Sequence, residues 1–522
     1  MIMIMEFDVV VAGGGVGGAI AALTAAKEGL KVLLTEEYDW IGGQFTTQAV
    51  PPDEHKWIEQ FGCTRSYRDF RSRIRAFYKQ YFTLSNEARK CSELNPGNAW
   101  VTNIAFEPRV ALHILNEMLL PYIHESRLSI MLETKAVKAI IEGNYVKAVV
   151  FKNLKTGLEL QANSKYFIDA TEIGELLPLT GTEYVTGAEG RNETGEPHAP
   201  EQSNPYDIQP VTWVAAVDFV PGRKHIIDKP KRYDFFHTYI PEHSSHSLLS
   251  LFVPDHFEGG ERQLGIFKGN EKYPLPLWPY RRIIDPKNFK DCIRLHEVSL
   301  INWPQNDYIF GNIYEDPHVA ANMEDARQLT LSLIYWLQTE CPREDGKGIG
   351  YPEIRMRGDI TGTVDGLAKA PYIRESRRIK AQYTILESDL TMAARNGIKS
   401  YEDSVGVGSY YLDLHPTTAT KYFTFLPSWP YELPLGTLIP ERIKNLIPGS
   451  KNIGTTHLSN GCLREHPIEW NIGEVAGYLV SRAISIGEEP SKIRNTPELL
   501  LEFQKLVIEK GIEIHWPDNM IY

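Results

Sequence analysis

The chain has 522 residues, of which 42% are hydrophobic and 23% charged, and Lys+Arg 55 against Asp+Glu 67 leaves a net charge of −12. These values exclude a disordered or fibrous chain, and the acidic balance argues against a nucleic-acid backbone as the main partner. Five scattered cysteines (Cys63, Cys91, Cys292, Cys341 and Cys462) form no CxxC, and no apolar run approaches the roughly 18 residues of a membrane-spanning helix. A reducing, cytoplasmic setting is the expectation.

Residues 7–12 (FDVVVA) read as a buried parallel strand. The next residues contain GxGxxG at Gly13, Gly15 and Gly18, with Val16 and Gly17 inside the motif. Residues 19–28 are good helix formers, Gly29 suits the helix end, and residues 31–36 form a second strand closing on Glu36 and Glu37. Gly13 permits the tight turn, Gly15 lets the backbone approach a diphosphate, and Gly18 lets helix and strand pack closely. Glu36 follows Gly15 by about 20 residues, where a carboxylate accepts hydrogen bonds from ribose hydroxyls and disfavours a 2′-phosphate. The βαβ order predicts a dinucleotide site; a purely structural glycine turn is the bland alternative.

The stretch VVVAGGGVGGAIAALTAAKEGLKVLLTEE, followed by Gly42, Gly43 and Gln44, resembles the FAD-dependent oxidoreductases of the glutathione-reductase-like superfamily. The resemblance implies FAD rather than NAD, with the second glycine pair close to the cofactor. It also implies an α/β fold: a Rossmann-like FAD-binding domain, parallel sheet plus β-meander, with an inserted α+β substrate domain.

Residues 44–104 look like an insertion or lid. Within them residues 67–82 have helical spacing and four arginines, expected to form a solvated amphipathic face rather than an anion site. Residues 107–122 read as a helix with Pro108 in its first turn. Residues 128–168 read as a meander of strands, running into YFIDAT at 166–171. A strand ending in Asp-Ala-Thr is similar to the superfamily's crossing near FAD, which places Ala170 and Thr171 at the cofactor. Glu172 stands where that pattern has Gly.

The expected organisation is a first FAD-binding part at 1–184, a substrate or cap domain at 185–400, a second FAD-binding part at 401–490 and a helical tail at 491–522. Residues 207–212, 298–304, 374–378 and 403–415 resemble the family that includes the flavin subunit of heterodisulfide reductase. Residues 464–477 resemble a loop bearing an Arg and a small-residue helix aimed at the flavin ring, which implies roles there for Gly473 and Glu474. The positive helix end can stabilise charge on the reduced flavin.

Candidate catalytic groups are Arg464 and His466 ahead of that helix, and Tyr411 and His415, which share one strand face with Asp413. Arg374, Arg377 and Arg378 are expected on an exposed helix face, with a carboxylate or phosphate site as the alternative. His243 and His246, with His237 and His256 nearby, lack the scaffold of a metal centre, so no metal is expected. Trp278, Tyr280, Trp303, Tyr308, Phe310 and Trp336 suggest core more than pocket. The expected activity is hydride transfer from a small organic molecule to flavin N5, with oxygen or a partner as electron acceptor and a homo-oligomer left open. The alternatives are an NAD(P)H-dependent monooxygenase or halogenase and a flavin electron-transfer subunit.

Overall fold

The computed structural model describes residues 3–242, 244–255, 260–290, 296–421 and 423–517. His243, His256 and Cys292 lie outside them. The chain begins with β1 (Met3–Ala12), α1 (Val16–Lys27) and β2 (Val32–Thr35), continues through α2 (Arg65–Tyr81), α3 (Asn86–Lys90) and α4 (Pro108–His124), and then forms β3 (Leu128–Met131), β4 (Thr134–Glu142), β5 (Tyr145–Asn153) and β6 (Glu159–Asp169).

The main sheet has the order β3-β2-β1-β6-β5-β4. β3, β2, β1 and β6 run parallel, and β4, β5 and β6 form an antiparallel meander. Val9, Val10 and Val11 of β1 are fully buried, as a strand covered on both faces requires. β6 is long enough to change neighbours. Its first half pairs with β5, while Phe167, Ile168 and Asp169 pair in parallel with the strand Leu446–Pro448. That exchange returns the C-terminal part of the chain to the first sheet.

The helix His466–Ile486 then lies along α1. Contact is backbone to backbone. A Cβ on Gly473 would stand 2.1 Å from the carbonyl oxygen of Gly17, and one on Gly17 would stand 1.8 Å from that of Gly449. Further along, Gly477 meets Thr24. Both helices therefore run in one direction and open their N-termini at the same end of the sheet.

Residues 44–104 are built into the body of the protein. Tyr67, Phe70, Ile74 and Tyr78 of α2 are buried, and Phe70 packs tilted against Trp470 at 5.1 Å. The solvated face expected for the arginines holds only in part. Arg71 and Arg75 are buried because Glu54 and Glu59 supply matched carboxylates. The tail forms the helices Pro490–Asn495 and Pro497–Lys510. It then tucks Trp516 against His55, Trp57 and Phe61.

Between residues 185 and 400 lie a four-stranded antiparallel sheet, centred on Val298–Ile301 and Ala215–Phe219, and the helix Val319–Thr339. The exposed helix face expected for Arg374, Arg377 and Arg378 is not what forms. All three arginines are buried, beside the short strands Tyr372–Ile373 and Arg378–Ile379. Each has a carboxylate partner: Asp307 at 3.0 Å, Glu315 at 2.7 Å, and Glu375 together with Glu189. Cys63, Cys341 and Cys462 are buried, which pushes each thiol up to about 12. Among the described residues no helix is long and apolar enough to cross a membrane.

The helix contact generates a prediction. Gly473→Ala should lower stability by about 1–3 kcal/mol, because the methyl group meets backbone that cannot yield. Urea unfolding reads this, and a midpoint equal to the parent's would contradict the contact.

Candidate functional site

The glycine turn is held from both sides. Gly13 has φ +90°, and a Cβ on it would lie 2.3 Å from the Ala170 carbonyl oxygen. Only glycine combines that angle with that approach. Gly42 donates to the Gly14 carbonyl at 2.7 Å, tying the second glycine pair to the first. Glu36 closes the loop. Its Oε2 accepts from Gly14 N–H at 2.7 Å and its Oε1 from Tyr38 N–H at 2.9 Å. Burial pushes this carboxyl up to about 8.

Beside the turn is a cleft lined by Ala12, Gly13, Glu36, Glu37, Ala170 and Thr171, with Pro371 and Ile373 opposite. Lys135 reaches in to pair with Glu175 at 2.5 Å and Glu37 at 3.4 Å. A carboxyl group, small backbone and apolar cover suit a nucleoside.

A carboxyl group lies over the loop. A Cβ on Gly15 or Gly43 would lie 2.7 or 2.8 Å from Oε1 of Glu172. Glu172 sits over the glycines and pairs with buried Lys451 at 2.7 Å. Burial raises the Glu172 carboxyl, and nearby Glu469 adds to that against the pull of Lys451. Glu469, from the first turn of the helix His466–Ile486, accepts from Gly17 N–H at 3.5 Å, from Ser450 at 2.8 Å and from Gln44. Oε1 of Gln44, of Gln48 and of Glu172 are buried without a hydrogen-bond partner among the described residues. The unpartnered oxygens suit the hydroxyl groups of a dinucleotide's polar chain, which can donate to them.

Gln44 links this strip to a second cavity. Its Nε2 donates to the Arg464 carbonyl at 3.2 Å, and the Arg464 side chain lines a cavity of about 350 Å³. The strand Tyr372–Ile373 divides the two spaces. Ile373 faces the first, while Tyr372 faces the second, as strand alternation dictates. Tyr280, Tyr372, Tyr410 and Trp303 give the second cavity aromatic walls.

The candidate catalytic residues separate here. His415 lines this cavity with Asp413. Its Nδ1 lies 2.5 Å from Oδ2 of Asp307, and its Nε2 lies 3.7 Å from Asp413. Thr212 and Arg374 hold the other oxygen of Asp307. Burial alone would raise the Asp307 carboxyl, but Arg374 and His415 hold it below the usual range. Arg464 also lines the cavity, donating to Tyr372 Oη at 2.8 Å and pairing with Asp413 at 3.4 Å.

His466 is placed differently. It is fully buried, its Nδ1 accepts from Asp53 N–H at 3.3 Å, and its Nε2 meets the Val50 carbonyl at 3.2 Å. That fixes the Nε2–H tautomer, and burial brings the ring down to about 4. Asp53, Glu465 and His466 converge closely enough to suggest an ion site, but both ring nitrogens are committed to backbone. Tyr411 is 52% exposed, packs against Phe425 and is not among the residues that line the cavity, where Tyr410 stands instead. The strand runs only over Leu412–Leu414, so neither Tyr411 nor His415 belongs to it, and Asp413 and His415 come together as lining of one cavity. Gly473 packs on Gly17, and Glu474 accepts from Ser66 at 2.5 Å, so neither lines either space.

Several residues of this site carry no local signal. Asp307 is 108 positions from His415, and Asp53, Arg281 and Lys451 reach the site only through the fold. Glu172 was visible as a departure from the glycine pattern, without its meaning.

A family model described as FAD dependent oxidoreductase matches residues 8–506. The digeranylgeranylglycerophospholipid reductase of Sulfolobus acidocaldarius is 28% identical over 172 residues, 32% of this chain. The chain spans about a third of that relative's length, 34%. Among solved structures, a geranylgeranyl bacteriochlorophyll reductase-like protein from Thermoplasma acidophilum is 12% identical, covering 97% of this chain and 84% of that one, with TM-score 0.34. A p-nitrophenol 4-monooxygenase from Pseudomonas putida is 10% identical, covering 97% and 86%, with TM-score 0.36.

Glu172 places a carboxyl group over Gly15 and Gly43, the turn that the sequence assigns to a diphosphate. Glu172→Gln should therefore tighten FAD binding by roughly tenfold, about 1.4 kcal/mol, by removing like-charge repulsion. Titration of apoprotein with FAD, followed by flavin fluorescence, measures it. Equal or weaker affinity would contradict the placement.

Proposed function

This chain belongs to the FAD dependent oxidoreductase family and is an enzyme with FAD as its cofactor, and from that premise we propose that it oxidises a small organic molecule held in the aromatic cavity, with His415 as the base. The observation that supports this is the Asp307–His415 pair opening onto the same cavity as Arg464.

The residues present fit the cofactor. Glu36 suits the ribose, the N–H groups around Gly15 suit the diphosphate, and Gln44, Arg464 and the mouth of the helix His466–Ile486 flank the way to the second cavity. FAD, when bound, supplies a two-electron acceptor for hydride.

The chain's own groups supply the rest. Asp307 accepts from His415 Nδ1–H and so leaves the lone pair on Nε2, which lies 3.7 Å from Asp413 on the cavity wall. Nε2 can take the proton of a substrate hydroxyl or amine as the adjacent C–H bond is cleaved. Thr212 and Arg374 hold Asp307 in place, so the imidazole is oriented before substrate arrives. Arg464 places positive charge at the helix mouth, where negative charge is stabilised. His466, with both nitrogens engaged by backbone, shapes the helix entry and moves no proton. Tyr280, Tyr372 and Tyr410 exclude water around the reacting carbon.

The test is a screen of small alcohols, amines and hydroxy acids, scored by anaerobic bleaching of the bound flavin. A donor from this panel should reduce it. His415→Asn should slow that reduction by about 10²- to 10⁴-fold with FAD content unchanged. Reduction of the variant at the parental rate, or rapid bleaching of the parent by NADH or NADPH alone, would contradict the proposal. The latter result would favour the monooxygenase reading.

A further inference from the structure

The wall of the second cavity has its ions committed to one another. Arg281 pairs with Asp53 at 3.1 Å, Arg374 with Asp307 at 3.0 Å and Arg464 with Asp413 at 3.4 Å. Asp307 also holds His415. Arg262 is engaged too, lying over the ring of Tyr273 at 5.8 Å. Glu465 meets Arg464 at 3.0 Å without lining the cavity. A charged guest would break one of these pairs or stay in the cavity without a counter-ion. Either outcome costs more than burying a neutral guest. The wall therefore favours an uncharged molecule.

The cavity is also polarised between its buried and its open parts. Of the residues that line it, Trp100, Pro274 and Leu275 are the exposed ones, and all three are apolar. They mark where it meets solvent. Trp100 is fixed there, its Nε1 donating to the Pro276 carbonyl at 2.9 Å and its ring packing on Tyr280 at 4.5 Å. Leu264 and Leu277 extend this apolar lining below the surface. The polar part is one connected group. Arg464 donates to Tyr372 Oη at 2.8 Å and pairs with Asp413, and Nε2 of His415 lies 3.7 Å from the same aspartate. Arg464 and Tyr372 are each 2% exposed. A polar interior behind an apolar rim suits a guest that enters polar end first and leaves its apolar end at the rim.

We propose that the substrate is an uncharged alcohol with an apolar tail, its hydroxyl lodged among His415, Asp413 and Tyr372 and its tail running past Leu277 to Trp100 and Leu275. The proposal deepens the function given above and rests on it, narrowing the hydroxyl and amine donors considered there to the neutral one. Oxidation to the carbonyl balances with the groups already named: the hydroxyl proton goes to His415 Nε2, and the carbinol hydrogen leaves with its electron pair to FAD. An alkylammonium ion or a carboxylate of the same length carries a charge that the paired wall leaves unanswered.

The test uses the holoenzyme and amide probes, which are neutral and have no carbinol hydrogen, so that binding is read without turnover. Calorimetric titration should give hexanamide at least roughly tenfold tighter binding than hexanoate or hexylammonium. Octanamide should bind at least roughly fourfold tighter than hexanamide, through its two added methylenes. Leu275→Asn makes the rim polar at an exposed position. It should cut that gain to less than about twofold, with FAD content and melting curve unchanged. Charged probes that bind as tightly as hexanamide, no gain from the longer tail, an undiminished gain in Leu275→Asn, or no binding of octanamide below about 10 mM would each overturn the inference. So would anaerobic bleaching of the flavin by hexylamine with hexan-1-ol inert. If the amides behave as expected while neither hexan-1-ol nor octan-1-ol bleaches the flavin, the oxidation reading fails and the amphipathic site stands. If the alcohols bleach the flavin and the charged probes bind like hexanamide, the site assignment alone fails.

Discussion

The whole arrangement depends on bare backbone at one crossing. Gly17 in the first turn of α1, Gly449 after the last parallel strand, and Gly473 in the helix His466–Ile486 approach so closely that no side chain fits between them. Side chains there would force the two helices apart, and with them the two N-termini that open on the same space. Residues some 450 positions apart in sequence thereby share hydrogen bonds, as between Gly17 N–H and Glu469. β6 makes the return possible, because its second half is free of β5 and receives the strand Leu446–Pro448.

From that crossing the site unfolds outward in both directions. One way lie Glu36 and the cleft suited to a nucleoside. The other way lie Gln44, Arg464 and a cavity with aromatic walls. The strand Tyr372–Ile373 separates the two and serves both, one residue to each side. Electrostatics follow the same line. The glycine loop holds a carboxylate against a lysine, and the cavity pairs arginines with aspartates so that buried charge is matched.

Legibility in the sequence tracked locality. The βαβ unit was readable because its strand, glycine turn, helix and acid all lie within the first forty residues, and each obeys a short-range rule. The meander and α4 were readable for the same reason, from turn residues and a proline at the helix start. The resemblance of residues 464–477 to a flavin-facing helix put the helix in the right place. It could not place Gly473 and Glu474, whose side of the helix is set by α1 and α2. The arginines of 374–378 misled because spacing alone cannot distinguish a solvated charge from one matched by a distant carboxylate. Asp307 and Glu315, both far from them in sequence, are what bury them. The expected proton-handling wall was half legible. His415 and Asp413 line one cavity, but the strand covers only Leu412–Leu414, and the residue that orients His415 comes from another segment altogether.

The central claim is that both ends of the chain together grip one FAD, its diphosphate over the glycine turn and its ring at the aromatic cavity. The most direct measurement is a crystal structure of the complex with FAD. The account predicts diphosphate density between Gly15 and the first turn of the helix His466–Ile486, with Glu172 moved off the loop, and the isoalloxazine beside Arg464 within reach of His415. Density for the ring on the outer surface, or a diphosphate away from Gly15 with Glu172 still seated over the glycines, would contradict it.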